Sequence, residues 1–147
     1  MIKKKGFTLI ELIMTISLVA IALSISAFSI RLYKEIQLES EYEEMRIGML
    51  NFFDVASLYC ASNNINAHIR INIRDSKVTL SDGESIFMAY SINELKFKDS
   101  INQSNRIEIN CKGQLKGSGT ANFVFKDKIK GELVITAITN NVKVRKK

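Results

Sequence analysis

From Leu12 to Ile30 the chain runs nineteen residues without a formal charge, preceded by Phe7 to Ile10 and by the lone carboxylate of Glu11. At a rise of about 1.5 Å per residue, that length matches a hydrocarbon core about 30 Å thick, so the run predicts a membrane-spanning helix. Thr15, Ser17, Ser24, Ser26 and Ser29 interrupt it. Their hydroxyls are expected to bond back to carbonyls of the preceding turn, which leaves a helix the lowest-energy backbone in lipid. Beyond Arg31, apolar positions recur at Leu32, Ile36, Met45, Met49, Phe52, Phe53, Ala56, Tyr59 and Cys60. That three-and-four spacing predicts a helix with one buried stripe, so the membrane helix runs on. Asn63 and Asn64 supply its stop, because Asn tolerates the left-handed conformation that follows helix C-termini.

After Asn64 the period changes to two. Ile69, Ile71 and Ile73 face one way and His68, Arg70, Asn72 and Arg74 the other, the pattern of a half-buried strand. Further strands are expected at Val78 to Leu80, Ile86 to Tyr90, Ile107 to Cys111, Ala121 to Phe125, Leu133 to Thr139 and Val142 to Val144. Turn signals separate them: Ser81-Asp82-Gly83, Lys112-Gly113, Gly117-Ser118-Gly119, read as a hairpin turn, and Asn140-Asn141. The fold class this implies is α+β, a long N-terminal helix with a membrane half and an amphipathic half, packed against an antiparallel β-sheet head.

Charge adds less than its total suggests. The formal charge is +6, yet Lys3, Lys4, Lys5, Arg145, Lys146 and Lys147 supply six of the positives, so the basic balance lies at the ends. Glu35, Glu39, Glu41, Glu43 and Glu44, bordered by Lys34 and Arg46, form an acidic patch just past the apolar run. It reads either as a solvated helix face or as a contact that sets register against a neighbour's basic surface. The two cysteines, Cys60 and Cys111, are consistent with one disulfide outside the cytoplasm and equally with two small buried hydrophobes.

The residues offer little for catalysis. His68 is the single histidine and sits on the polar side of a strand, so one chain holds neither a catalytic triad nor a two-His metal site. Gly113, Gly117 and Gly119 do not make a phosphate loop, because Lys116 precedes its glycine where the pattern needs Gly-Lys-Ser/Thr. Asp82 and Glu84 lie in a turn that does not aim them together. The expectation is no enzyme activity, no cofactor and no metal.

The junction at Gly6 carries the most information. An ordinary secretory signal ends in a small-residue cleavage site after its apolar stretch, whereas here the small residue stands before it, beside the basic cluster. Lys3-Lys4-Lys5 predict a cytoplasmic N-terminus and export of everything after Arg31. The string Lys3-Lys4-Lys5-Gly6-Phe7-Thr8-Leu9-Ile10-Glu11-Leu12-Ile13 resembles the prepilin processing motif of type IV pilins and type II secretion pseudopilins. The resemblance implies that a membrane prepilin peptidase cuts between Gly6 and Phe7 and methylates the new amine of Phe7. It also places the family's assembly carboxylate at Glu11. Many members carry a proline near the twenty-second mature position, where this chain has Phe28 and, throughout its length, no proline.

Glu11 points the same way on physical grounds, because a carboxylate at the edge of a membrane helix is costly unless paired, and the new Phe7 amine of a neighbour is a partner in the same layer. The C-terminal run from Gly117 to Val142 is similar to the minor, GspH/FimT-like branch of pseudopilins. Four parts are expected: a leader at 1–6, a transmembrane and filament-core helix at 7–30, an amphipathic helix continuing into the head at 31–64, and a β-rich extracytoplasmic head at 65–147. The implied function is a single-pass minor pilin or pseudopilin of a pilus or pseudopilus, its partners being prepilin peptidase, other pilin or pseudopilin subunits and the membrane. Two other readings stand beside it. In one, Arg70, Arg74, Lys143, Arg145, Lys146 and Lys147 gather into a patch that makes this a DNA-binding tip protein. In the other, the leader is never cut and the chain is a plain membrane protein.

Overall fold

The computed structural model describes residues 8–91, 94–99, 101–102 and 106–147, all but Ala27 to the side chain. One helix, α1, spans Leu9–Asn63 and passes through Phe28 without a break, as a stretch free of proline and glycine allows. Asn64 follows at φ 52°, and the Ile65 amide donates to the Cys60 carbonyl at 3.1 Å. The left-handed stop expected at the two asparagines is thus made by the second of them. The chain divides into two compact units, residues 1–41 and 42–147.

In the second unit nine strands follow the helix: β1 Ala67–Asn72, β2 Lys77–Ser81, β3 Ile86–Ser91, β4 Leu95–Phe97, β5 Arg106–Ile109, β6 Leu115–Lys116, β7 Gly119–Phe125, β8 Ile129–Thr136 and β9 Asn141–Lys146. They form two antiparallel sheets where alternation suggested one head sheet. The five-stranded sheet is ordered β3-β2-β1-β5-β6 and the four-stranded sheet β4-β7-β8-β9. The Gly117-Ser118-Gly119 segment, expected to close a hairpin, instead carries the chain from β6 in one sheet to β7 in the other. Gly117 takes φ +105° there, a conformation that costs a side chain dearly and glycine nothing.

Strand alternation directs Ile69, Ile71, Val78, Leu80, Ile107 and Ile109 inward, all of them fully buried. Tyr42, Met45, Met49, Phe52, Phe53, Ala56 and Cys60 supply the facing stripe of α1, also buried. Each of the larger side chains contributes about 1.5–3 kcal/mol by leaving water. Phe52 stacks on Tyr90 of β3 at 6.1 Å and Tyr59 meets Phe87 at 5.4 Å, while Tyr42 meets the edge of Phe125 of β7 at 6.2 Å. The helix therefore seats on both sheets. Gly48 belongs to this contact, since a Cβ there would overlap the Tyr90 hydroxyl. Burial removes that hydroxyl from water and, with Glu44 nearby, raises the Tyr90 pKa above its ordinary value. The buried stripe begins at Tyr42, later than its period predicts, because Leu32 and Ile36 are 47% and 61% exposed.

Candidate functional site

The start of α1 is built by four residues. Thr8 precedes the first helical turn, its amide and its hydroxyl both donate to Glu11 Oε2 at 2.8 Å, and the Glu11 amide donates back to Thr8 Oγ1 at 3.4 Å. This reciprocal pair is a capping box, which satisfies amides that the helix itself leaves without acceptors. A carboxylate at the third helical position also suits the positive end of the helix dipole. Glu11 thus has a partner in its own chain, a role that the spacing Thr8-Leu9-Ile10-Glu11 signals and that a focus on neighbouring subunits overlooks. Gly6 and Phe7 lie outside the described residues.

Downstream, each hydroxyl turns back on its own helix. Thr15 donates to the Leu12 carbonyl at 2.8 Å, Ser17 to Ile13 at 2.9 Å, Ser24 to Ala20 at 2.8 Å, Ser26 to Ala22 at 2.9 Å and Ser29 to Ile25 at 3.0 Å. The apolar side chains from Leu9 to Ile30 are exposed, Leu9 at 76% and Phe28 at 68%. By length and composition this helix is able to cross a membrane, with a mean hydropathy of 2.3 in its most apolar window. An uncovered apolar cylinder of this kind requires lipid or other helices around it.

The other candidates are scattered over the second unit. Cys60 is buried in α1, Cys111 is half-buried after β5, and both are free thiols. Burial pushes the Cys60 thiol above its ordinary pKa, which keeps it protonated and a poor nucleophile at neutral pH. His68 stands on the outer face of β1 between Ser81 of β2 and Glu108 of β5. It is half-buried, short of the solvent-facing position its place on the polar side implies, and its Nδ1 has no hydrogen-bond partner among the described residues. Among the described residues no group of three or more His, Cys, Asp or Glu is placed to hold a metal.

The structure divides the basic set that alternation suggested. Arg70 and Arg74 lie on or beside β1 in the five-stranded sheet, whereas Lys143, Arg145, Lys146 and Lys147 lie on or beside β9 in the four-stranded one. Arg145 and Lys147 reach Glu132 at 4.0 and 3.1 Å, and Lys146 sits over the Tyr42 ring. Asp82 and Glu84 are not aimed together. Asp82 instead accepts the Glu84 and Ser85 amides at 3.0 and 2.8 Å, which closes the turn between β2 and β3 and holds the Asp82 pKa low, the Ser85 bond first.

Residues 1–27 match the family model of the prokaryotic N-terminal methylation motif. The matched stretch includes the basic cluster, Gly6, Phe7, the capping pair and most of the apolar run, and it supports a type IV pilin-like protein that prepilin peptidase processes. No curated protein and no solved structure matches the chain. The head is therefore described by its own geometry alone.

Proposed function

We propose that the chain is a minor pilin or pseudopilin, a structural subunit of a type IV pilus-like filament or of a secretion or competence pseudopilus, and not an enzyme. The observation that carries this reading is the motif match over residues 1–27, on a helix whose apolar surface stands uncovered as far as Ile36. Residues 1–6 act as the leader, residues 7–30 as the membrane anchor that becomes filament core, residues 31–64 as the helix leading into the head, and the remainder as an exported head. Lys3, Lys4 and Lys5 hold the leader on the cytoplasmic side. Prepilin peptidase cuts after Gly6 and methylates the Phe7 amine, which pairs with the Glu11 carboxylate of an adjacent subunit.

Intact mass of the protein isolated from cells with an active prepilin peptidase tests the processing. The expected species begins at Phe7, is one methylene heavier than the bare chain from that residue, and has lost three positive charges from its formal +6. A species that still carries Met1 to Gly6 would sink the proposal.

Removal of residues 1–30 is expected to yield a soluble monomer with a cooperative melt, because the stripe from Tyr42 to Cys60 that covers the two sheets is retained. Size-exclusion chromatography and a thermal melt followed by circular dichroism check this. Persistent aggregation or a featureless melt would mean that the head does not fold without its anchor.

A further inference from the structure

Four strands end the two sheets, β3 and β6 in one and β4 and β9 in the other. Among the described residues, each has a row of backbone donors and acceptors with no ladder partner on its outer side. Shortness or charge guards three of these edges. β4 and β6 are three and two residues long and carry Lys96 and Lys116, and β9 carries Lys143, Arg145 and Lys146. β3 has neither defence. Its six residues, Ile86-Phe87-Met88-Ala89-Tyr90-Ser91, hold no charge, proline or glycine. After a register shift at Ser81, Met88 to Ser91 pair regularly with β2. An uncharged edge of this length readily takes on a further strand.

The helix flank beside this edge is also uncovered. Gly48, Phe52, Val55 and Tyr59 recur at three- and four-residue spacing and so share one row of α1. Phe52 and Tyr59 touch Tyr90 and Phe87 of β3, and a Cβ on Gly48 would meet the Tyr90 hydroxyl, so this row faces β3. Val55 within it is nevertheless 51% exposed, and Ile47 and Leu58, one row further from the core, are 51% and 74% exposed. Phe87, Met88 and Tyr90 are only half-buried, whereas Val78 and Leu80 of the neighbouring β2 are fully buried. Strand edge and helix flank thus lie open side by side.

We propose that β3 is extended by a strand from another polypeptide, an uncharged segment of about six residues whose inward side chains are apolar and cover Ile47, Val55 and Leu58. A row of alternating donors and acceptors is met by a second extended backbone and not by a helix, whose own amides and carbonyls bond within it. Laid about 4.8 Å beyond β3, the added strand directs every second side chain onto the open flank of α1. A cation fits one end of it. Glu44 is exposed, is near enough to the Tyr90 hydroxyl to act on it, and makes no ion pair among the described residues. A second copy of this chain does not fit. Antiparallel pairing of β3 with itself runs about a two-fold axis normal to the sheet and turns the two Tyr42–Asn63 helix segments in opposite directions. Two chains anchored by their N-termini in one membrane cannot meet in that way. The inference holds whether or not the chain enters a filament.

The test uses the full chain in nanodiscs of uncharged lipid and a fluorescent peptide in which three valines and three threonines alternate between terminal lysines. Anisotropy is expected to show saturable binding, and hydrogen exchange of the Ile86–Ser91 amides to slow when the peptide binds. Only one edge of a strand can face β3. Of two N-methylated forms, one blocked at its valine amides and one at its threonine amides, one should therefore bind at least about tenfold more weakly and the other as before. Val55→Gln with Leu58→Gln should weaken the unmodified peptide at least about tenfold, and Leu58→Gln alone serves should the pair perturb the near-ultraviolet spectrum. Glu44→Gln should cost about two- to fivefold with lysine ends and nothing with glutamine ends. Ile138→Gln, which removes an apolar side chain 95% exposed in the β8–β9 turn, should leave binding within about twofold. Equal behaviour of the two N-methylated forms would rule out strand pairing, and equal loss in Ile138→Gln would reduce the effect to general apolar adhesion. Protection of Ile86–Ser91 that rises with protein concentration alone would give the edge to a second copy, and absence of binding by the unmodified peptide would end the proposal.

Discussion

Glu11→Gln is expected to reach the membrane and lose its leader normally, yet to enter filaments at a small fraction of the wild-type level. The substitution isolates charge from shape, because a glutamine at the third helical position still completes a capping box with Thr8. In a low-dielectric helix bundle, the proposed contact between the carboxylate and a neighbour's Phe7 amine gains Coulomb energy, opposed by the desolvation of both groups. Pairing prevails once the amine is committed to the bundle, since removing one partner leaves the other charge buried and uncompensated. Thr8→Ala provides the converse variant. It removes the hydroxyl that bonds Glu11 and costs the helix start about 1 kcal/mol, but keeps the charge, and so should assemble. Co-purification of tagged and untagged subunits from sheared or detergent-solubilised assemblies measures both. Equal incorporation of Glu11→Gln and wild type would leave Glu11 with the cap as its only role.

The largest stability effect is expected in the four-stranded sheet, at Phe123. This side chain is 1% exposed, meets the edge of Phe97 at 6.1 Å, and lies across from Gly131 in register. Phe123→Ala opens a cavity and should cost about 3–5 kcal/mol. Gly131→Ala should cost about 1–3 kcal/mol for the opposite reason, since a Cβ there would overlap the Phe123 ring and come within 2.9 Å of the Arg145 carbonyl. The two changes are coupled. With the ring removed, the added methyl enters vacated space, so the double variant should be more stable than the sum of the singles by about 0.5–3 kcal/mol. Urea unfolding of the full chain in mild detergent, followed by near-ultraviolet circular dichroism, gives the cycle, and strict additivity would show that Gly131 is not shaped by the ring.

Local pattern carried the helix and most of the strands. The period of two through Ile69, Ile71 and Ile73 and the stripe from Met45 to Cys60 are consequences of which side chains must leave water, and that demand is written residue by residue. Leu95–Phe97 and Leu115–Lys116 were not legible, because strands of three and two residues are too short to show a period and exist through their partners in β7 and β5. β8 begins at Ile129, earlier than its apolar run at Leu133, since Lys130 and Gly131 dilute the alternation that pairing with β7 and β9 nevertheless completes. Division into two sheets is likewise a matter of distant partners. At the candidate site, the apolar run and the place of Glu11 were plain. The Thr8 cap was written in the spacing, while the neighbours of His68, Ser81 and Glu108, depended on a strand register that no local signal records.

The hydroxyls of the apolar run have a consequence for how helices would meet side by side. Thr15, Ser17, Ser24, Ser26 and Ser29 each direct their one proton to a carbonyl of their own helix, so none of these protons is left to bridge to another chain. Neighbouring helices then adhere by shape and dispersion alone along this stretch, and such contact changes little when one cylinder slides past another by a turn. Longitudinal alignment falls to the single carboxylate at the end, which acts as an index mark on an otherwise smooth rod. In a filament of the proposed kind, sliding of one rod along another would be opposed by that one contact, and separation across the axis by the whole apolar wall.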